Sequence, residues 1–125
     1  MALTDAGRNH IAADVIGESV TEFNNANAHI GVGNSSTAFS ASQTDLQGGS
    51  KFREAMDATY PQRSTNVITL RSTIATADAN FAWNEWGVFN ASSSGTMLCR
   101  KVEAQGTKPS NESWQITVTL TFHNP

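Results

Sequence analysis

The sequence predicts a mainly β fold, an antiparallel β-sandwich with a short N-terminal helix. The strongest observation is the segment 114–122, in which large apolar residues alternate with Gln and Thr. Such alternation is typical of an antiparallel strand with one face in a core and the other in water. Charged residues make up only 15% of the chain, against about 25% in an average domain. Ser, Thr, Asn, Gln and Gly take their place, which favours strands joined by polar turns.

The amino-terminal segment predicts one short helix. Thr4 or Asp5 can cap it by accepting hydrogen bonds from the free amides of the first turn. One apolar residue in every four then forms a stripe along the helix: Leu3, Gly7, Ile11 and Val15, with Ile16 beside them. Gly17 is the predicted end. Because the helix is short and contains a glycine, it needs a sheet to pack against.

The middle of the chain predicts a strand followed by a long loop. Residues 28–33 are expected to form a short strand that runs into a turn at 33–36. Residues 35–50 are rich in Ser, Thr, Gln and Gly, and their large apolar residues are Phe39 and Leu46. We interpret this stretch as an ordered loop that wraps over the domain or over a neighbour, with disorder as the alternative. Residues 51–59 fit either a strand or a helix, and 60–66 contain turn residues.

The second half predicts four strands, at 67–74, 81–89, 96–102 and 114–122. The second of these is strongly aromatic. Strict alternation places Phe81, Trp83 and Phe89 on one face of it and Trp86 on the other. Both faces then carry large apolar surface. Either the strand is central in its sheet, or one of its faces meets another subunit.

Charge and hydropathy argue against nucleic-acid and membrane partners. The net charge is −3 and the basic residues are scattered, whereas phosphate binding needs clustered Lys and Arg. No apolar run approaches the roughly 20 residues of a membrane span. The first residues also lack the features of a signal peptide, so we expect synthesis in the cytoplasm. The single cysteine, Cys99, excludes an internal disulfide.

Residues capable of catalysis or metal binding are isolated from one another. His10, His29 and His123 show no metal-ligand spacing, so we predict no metal, cofactor or catalytic residue, and no enzymatic activity. Glu85 lies between two tryptophans and has two interpretations. It is either an acid with a raised pKa in an apolar pocket or a structural acceptor for backbone and Arg donors, which we favour. Cys99 is interpreted as a packing residue.

One glycine-rich segment, 31–33, has half the pattern of a phosphate-binding loop. Gly31-Val32-Gly33 lacks the third glycine, the following lysine and the helix opening of such loops. We interpret it as a tight turn.

Several short segments, taken in order, resemble the amino-terminal domain of phage tail-collar fibre proteins. The segments are Leu3-Thr4-Asp5-Ala6-Gly7, Ile30-Gly31-Val32-Gly33-Asn34, Ser42-Gln43-Thr44-Asp45-Leu46, Arg53-Glu54-Ala55, Glu85-Trp86-Gly87-Val88-Phe89-Asn90 and Gly95-Thr96-Met97-Leu98. The resemblance spans nearly the whole chain and implies a component of the virion. Trp86 stands where the family has an aliphatic residue. A fibre would continue beyond Pro125 into a shaft and a receptor-binding tip, so we expect the docking module alone.

Three hypotheses for function follow. The main one is a non-enzymatic capsid decoration, or cement, protein that stabilises the phage shell through protein–protein contacts. The alternative places the same fold on the tail, as a collar, baseplate or fibre-adaptor protein. The third is a carbohydrate-binding module, or a glycan-cleaving enzyme of the tail, in which exposed Trp83 and Trp86 stack on sugar rings and Glu85 acts as an acid; an enzyme would need a second carboxylate.

All three hypotheses share one set of expectations. The chain forms a single β-rich virion domain over residues 1–125, located on the capsid surface or the tail and made in the host bacterial cytoplasm. Its partners are other virion proteins, and it forms a homo-oligomer, with a trimer as one option. The candidate interface residues are Phe39, Leu46, Arg53, Tyr60 and Trp86.

Overall fold

The fold is known from a computed structural model that describes residues 2–124. Its elements in chain order are β1 (Ala2–Leu3), α1 (Asp5–Val15), β2 (His29–Gly33), β3 (Lys51–Ala55), β4 (Gln62–Ser64), β5 (Val67–Ile74), β6 (Ala82–Phe89), β7 (Met97–Thr107) and β8 (Trp114–Thr121). The strands pair antiparallel in two sheets, one ordered β1-β7-β6-β2-β3 and the other β4-β5-β8. The predicted mainly β fold with a short N-terminal helix is confirmed. Within the described residues, no helix has the length and hydropathy to cross a membrane.

The two sheets pack face to face around an apolar core, which makes the fold a β-sandwich. Buried residues of both sheets meet in it: Ile30, Val32, Val88 and Cys99 from the larger sheet, and Leu70, Ile74, Val118 and Leu120 from the smaller. Strand β8 follows its predicted alternation, because Val118 is buried while Thr117 and Thr119 are exposed. Strand β5 has the predicted bounds, and β7 continues five residues further than predicted, to Thr107.

Strand β6 departs from strict alternation, so one prediction about its aromatic faces is wrong. Trp83 joins Trp86 in the core between the sheets, and Phe81 packs against the same core. Phe89 instead belongs to a separate cluster on the outer face of the larger sheet. The pairing of β6 with β7 shifts register between Trp83 and Glu85. A bulge at that point reverses the direction of the side chains that precede it.

Helix α1 begins as predicted but does not bury its whole apolar stripe. The hydroxyl oxygen of Thr4 caps the helix by accepting a hydrogen bond from the amide of Gly7 at 2.9 Å. A Cβ at Gly7 would lie 2.2 Å from the carbonyl oxygen of Leu98, so glycine lets the helix lie directly on β7. At the other end Val15 is 78% exposed and Ile16 73% exposed. These two residues do not reach the core, because the helix contacts the sheet through its earlier turns.

The glycines at 31 and 33 belong to strand β2, so their interpretation as a tight turn is wrong. Their missing side chains make room on the outer face of the sheet. A Cβ at Gly31 would lie 2.7 Å from the ring of Phe89, and one at Gly33 would lie 2.4 Å from the carboxylate of Glu85. The glycines therefore let two large neighbouring side chains lie flat over β2.

The segment after the long loop contains more strand than predicted. Residues 51–55 form β3, which decides between the strand and helix alternatives for that stretch. Residues 62–64, predicted as a turn, form β4 because they pair with β5, with Gln62 opposite Thr69 and Ser64 opposite Val67. The turn itself is limited to Thr65 and Asn66.

Candidate docking surface

A buried ion pair lies on the outer face of the larger sheet. Arg100 donates from Nε to the Glu85 carboxylate at 2.8 Å, and both side chains are fully buried. The same carboxylate accepts hydrogen bonds from the backbone amides of Ser35 at 3.2 Å, Gln47 at 2.9 Å and Gly48 at 2.7 Å. Burial of a charge is tolerated only when it is paired and hydrogen-bonded in this way. Glu85 is thus the structural acceptor favoured from the sequence.

Arg100 holds the other side of the same loop. Its guanidinium donates to the Gln43 side-chain oxygen at 3.1 Å and to the Thr37 carbonyl at 2.9 Å. The loop base is closed by Asn34, whose amide donates to the Ser50 carbonyl at 3.1 Å. The loop 34–50 is therefore ordered and wraps over its own sheet, which agrees with the predicted ordered loop. A buried ion pair, not an apolar core alone, fixes its position.

The five candidate interface residues do not form one surface. Leu46 belongs to the loop and is buried against the sheet, 3% exposed, in a cluster with Phe89. Arg53 lies over the Phe89 ring at 3.6 Å and donates to the carbonyl oxygens of Ala91 and Ser94. Both residues therefore make their contacts within this chain.

The remaining three candidates retain some exposed surface but lie apart. Phe39 is half-buried in the loop, and Tyr60 is half-buried beneath the guanidinium of Arg71 at 4.3 Å. Trp86 is 9% exposed at the edge of the core. The interface role of all five residues stays a prediction.

An apolar groove opens where helix α1 ends beside the smaller sheet. It has a volume of about 390 Å³ and is lined chiefly by apolar side chains, among them Leu3, Ile11, Phe23, Ile68, Leu98 and Leu120. Three large apolar side chains are exposed here, and we call them the apolar rim: Val15 (78% exposed) and Phe122 (51%), which line the groove, and Ile16 (73%), which follows Val15 in the chain. Large apolar side chains grouped in this way are typical of a surface that another protein covers.

A second opening, the tryptophan cleft, lies between the two sheets on their β7 and β8 side. Its volume is about 480 Å³, and it is lined by Trp83, Trp86 and Trp114 together with Glu103 and Gln105. The rings of Trp83 and Trp114 contact edge to face, with centroids 5.0 Å apart. Trp83 is only 3% exposed and Trp86 9%. The stacking of sugar rings on exposed tryptophans, required by the carbohydrate hypothesis, therefore loses its support.

Cys99 and His10, two groups that could take part in chemistry, make contacts within the fold. Among the residues described, no three of His, Cys, Asp or Glu lie together as metal ligands would. Burial raises the pKa of the Cys99 thiol to about 12, so at neutral pH it is not a thiolate nucleophile. His10 contacts the Thr21 carbonyl oxygen at 2.9 Å and packs edge-on against Phe23. The Cys99 thiol thus packs in the core, and the His10 ring makes a hydrogen bond and an aromatic contact within the fold.

Two features of the surface are not evident from the sequence alone, and a third has a sequence signal. The sequence does not predict that Arg100 pairs with Glu85, because the two residues are 15 positions apart and only the register of β6 and β7 brings them together. The spacing of Val15 and Ile16 predicts that they belong to the buried stripe of the helix, and no local signal marks them as exposed. For strand β8, a signal was available: its eight residues carry no charge.

Comparisons with known proteins give one finding. No curated protein and no solved structure matches the chain. The family model for the phage tail-collar fibre protein, N-terminal, matches residues 1–123. The segments that carry the resemblance occupy connected places in the fold: the cap of α1, strand β2, the loop 34–50 and the Glu85 strand. Because the match spans almost the whole sequence, this chain belongs to the family of phage tail-collar fibre proteins, in their N-terminal region.

Proposed function

We propose that this protein is a structural component of the phage tail, a collar, baseplate or fibre-adaptor protein that works by binding other tail proteins. The observation that carries the proposal is the family match over residues 1–123. It supports the tail alternative and gives no support to the capsid-decoration hypothesis, which we therefore do not retain. The same family assignment favours a binding role over an enzymatic one.

The surface proposed for attachment is the apolar rim with the groove beside it. Val15 and Phe122 line the groove and project into solvent, and the exposed Ile16 follows Val15 in the chain. Covering each side chain on docking would contribute about 1.5–3 kcal/mol before the costs of association are subtracted. The proposed occupant is an apolar segment of a neighbouring tail protein, because the groove walls offer few polar partners.

We further propose that residues 1–125 act as one domain and that the protein assembles as a homo-oligomer within the tail. The first part is supported by the core, since its buried residues come from both sheets and run from Ala28 to Leu120. The second part is supported by the symmetric construction usual for repeated structural proteins.

The attachment surface can be tested by complementing a phage that lacks this gene. Val15→Glu places a charge on the apolar rim, where the side chain is already exposed, so the fold should be unaffected. Ala12→Glu is the matched control, because Ala12 is exposed on the same helix. We expect mass spectrometry of purified particles to find the Ala12→Glu protein in normal amounts and the Val15→Glu protein at least about tenfold depleted. Equal incorporation of the two variants would contradict the proposed surface.

A further inference from the structure

We infer that the free edge of strand β8 accepts an extended strand donated by another tail protein. Strand β8 is the outermost strand of the three-stranded sheet. Its eight residues, Trp114–Thr121, include no charged residue, no proline and no glycine. A long, neutral and unpaired edge is a template for pairing with another chain, and proteins normally protect such edges.

The other three sheet edges of the described chain are protected. The larger sheet ends on one side with β1, which has two residues. On the other side it ends with β3, whose five residues include Lys51, Arg53 and Glu54. The smaller sheet ends with the three residues of β4, which include Arg63. Short length and charge both discourage strand pairing, so β8 is the edge at which neither protection is present.

The backbone of β8 has donors and acceptors directed away from its partner strand. The amide of Phe122 donates to the Asn66 carbonyl at 3.0 Å, so residue 122 is directed toward the β5 side. The register between β5 and β8 is continuous from Trp114 to Thr121. Since successive residues of a strand direct their N–H and C=O groups to opposite sides, four residues direct theirs to the free edge: Gln115, Thr117, Thr119 and Thr121. An added strand is the structure that pairs with all of them.

Residues of the larger sheet line the space next to β8 that such a strand would contact. The tryptophan cleft is lined by Glu103 and Gln105 of β7 together with Ile116 and Val118 of β8. Strands β7 and β8 therefore form two walls of the same cleft. A strand placed beside β8 on this side would direct every second side chain into the cleft beside Trp86 and Trp114. The strand would continue the smaller sheet and complete its cover over the larger one.

This geometry favours a single donated strand over a second copy of the whole domain. In a second copy, the inward side chains Val118 and Leu120 of β8 are already buried in that copy's own core, so they are not free to fill the cleft. The chemistry of the donor follows from the cleft. Glu103, which lines the cleft, forms an ion pair with Lys101 at 3.1 Å, so its charge is neutralised. Three tryptophans line the same space. The donor is therefore an extended segment in which apolar residues facing the cleft alternate with neutral polar residues.

The inference deepens the proposed function and rests on it for the class of partner. Amide hydrogen exchange on the intact protein tests it, with free protein compared against the same protein in purified tails. We expect the amides of Gln115, Thr117, Thr119 and Thr121 to exchange quickly in free protein and about 100-fold or more slowly in tails. If the protein is present in tails while these amides exchange as in the free state, the strand inference is overturned and the tail assignment stands. Absence of the protein from tails overturns both.

The matched variants Thr119→Pro and Thr119→Ala give an independent measurement. Proline removes one outward amide, which strand β8 does not use for pairing with β5, whereas alanine keeps it. We expect normal incorporation into particles for the alanine variant and at least about tenfold depletion for the proline variant, with unchanged circular dichroism for both. Equal incorporation of the two overturns the inference. Protection of the edge amides that grows with concentration in free protein also overturns it, because a second copy would then occupy the edge. If the proline variant fails to fold, the exchange experiment decides alone.

Discussion

Glu85 and Arg100 explain, at the scale of single residues, how a loop of polar composition becomes ordered. Their charges neutralise each other in full burial, and their remaining hydrogen-bonding positions connect to the backbone or side chains of loop residues. Glycines surround the pair because there is no space for side chains. A Cβ at Gly33 would lie 2.4 Å from the Glu85 carboxylate, and one at Gly48 would lie 2.9 Å from it. Glu85 and these two glycines therefore form one packing unit.

Removing the charge of Glu85 should be strongly destabilising. In Glu85→Gln the buried Arg100 loses its counter-ion, and breaking a buried pair from one side typically costs about 3–5 kcal/mol. Urea unfolding measures the free energy of unfolding, and Glu18→Gln is the control because Glu18 is exposed. A loss for Glu85→Gln no larger than that of the control would show that the ion pair does not hold the loop.

The packing around the pair can be tested with two glycines close in space to the loop ends. Gly33→Ala inserts a methyl group against the Glu85 carboxylate, whereas nothing lies within 4 Å of a Cβ at Gly49. Overpacking at the first site should lower the free energy of unfolding by about 1–3 kcal/mol, while Gly49→Ala should be neutral or slightly stabilising. Thermal and urea unfolding of both proteins provide the comparison. Similar stability for the two would refute the close packing at residue 33.

At the scale of elements, alternation in the sequence predicts the strands well and their connections poorly. Strands β5 and β8 were predictable because one face of each packs into the core while the other face is more exposed. Strand β6 was not, because a bulge after Trp83 changes the direction of its side chains and no sequence signal marks it. The loop 34–50 was predictable as a loop, but its anchor depends on Arg100, which is distant in sequence.

The acid response of the loop should depend on Asp45. Burial tends to raise the pKa of Asp45, but the hydrogen bond from Lys51, the amide of Leu46 and the charges of Lys51 and Arg53 outweigh it and lower the pKa. A carboxyl group with a lowered folded-state pKa contributes stability above its ordinary pKa of about 4, and the contribution is lost as the pH falls through the lowered value. Asp45→Asn should therefore lose less stability than wild type between about pH 4 and pH 2.

The effect at Asp45 should be small, because its side chain is 40% exposed and pairs of this kind contribute less than about 1 kcal/mol. Free energies of unfolding measured at several pH values provide the comparison, with Asp14→Asn, at an exposed helix position, as the control. If the wild type and both variants lose stability in parallel as the pH falls, the pKa of Asp45 is not lowered by folding.

At the scale of the whole molecule, some parts of the surface are protected against contact with other proteins and others are not. The loop side is closed by the ion pair, and three of the four sheet edges are short or charged. The unprotected parts are the apolar rim and the β8 edge, and they are continuous, because Phe122 directly follows β8 and lines the groove. Sequence reasoning could predict that the protein binds other proteins, but not where. The exposure of Val15 and Ile16 depends on how far the helix extends beyond the sheet.

The location of the protein in the particle tests the central claim most directly. Immunogold labelling of intact virions, combined with the copy number per particle from quantitative mass spectrometry, distinguishes the tail from the shell. A tail protein in a symmetric assembly should be present in a small number of copies and label at the tail. We predict gold at the collar, baseplate or fibre attachment site and a copy number far below that of the major shell protein. Label spread over the capsid, with a copy number comparable to that of the shell subunit, would contradict the account.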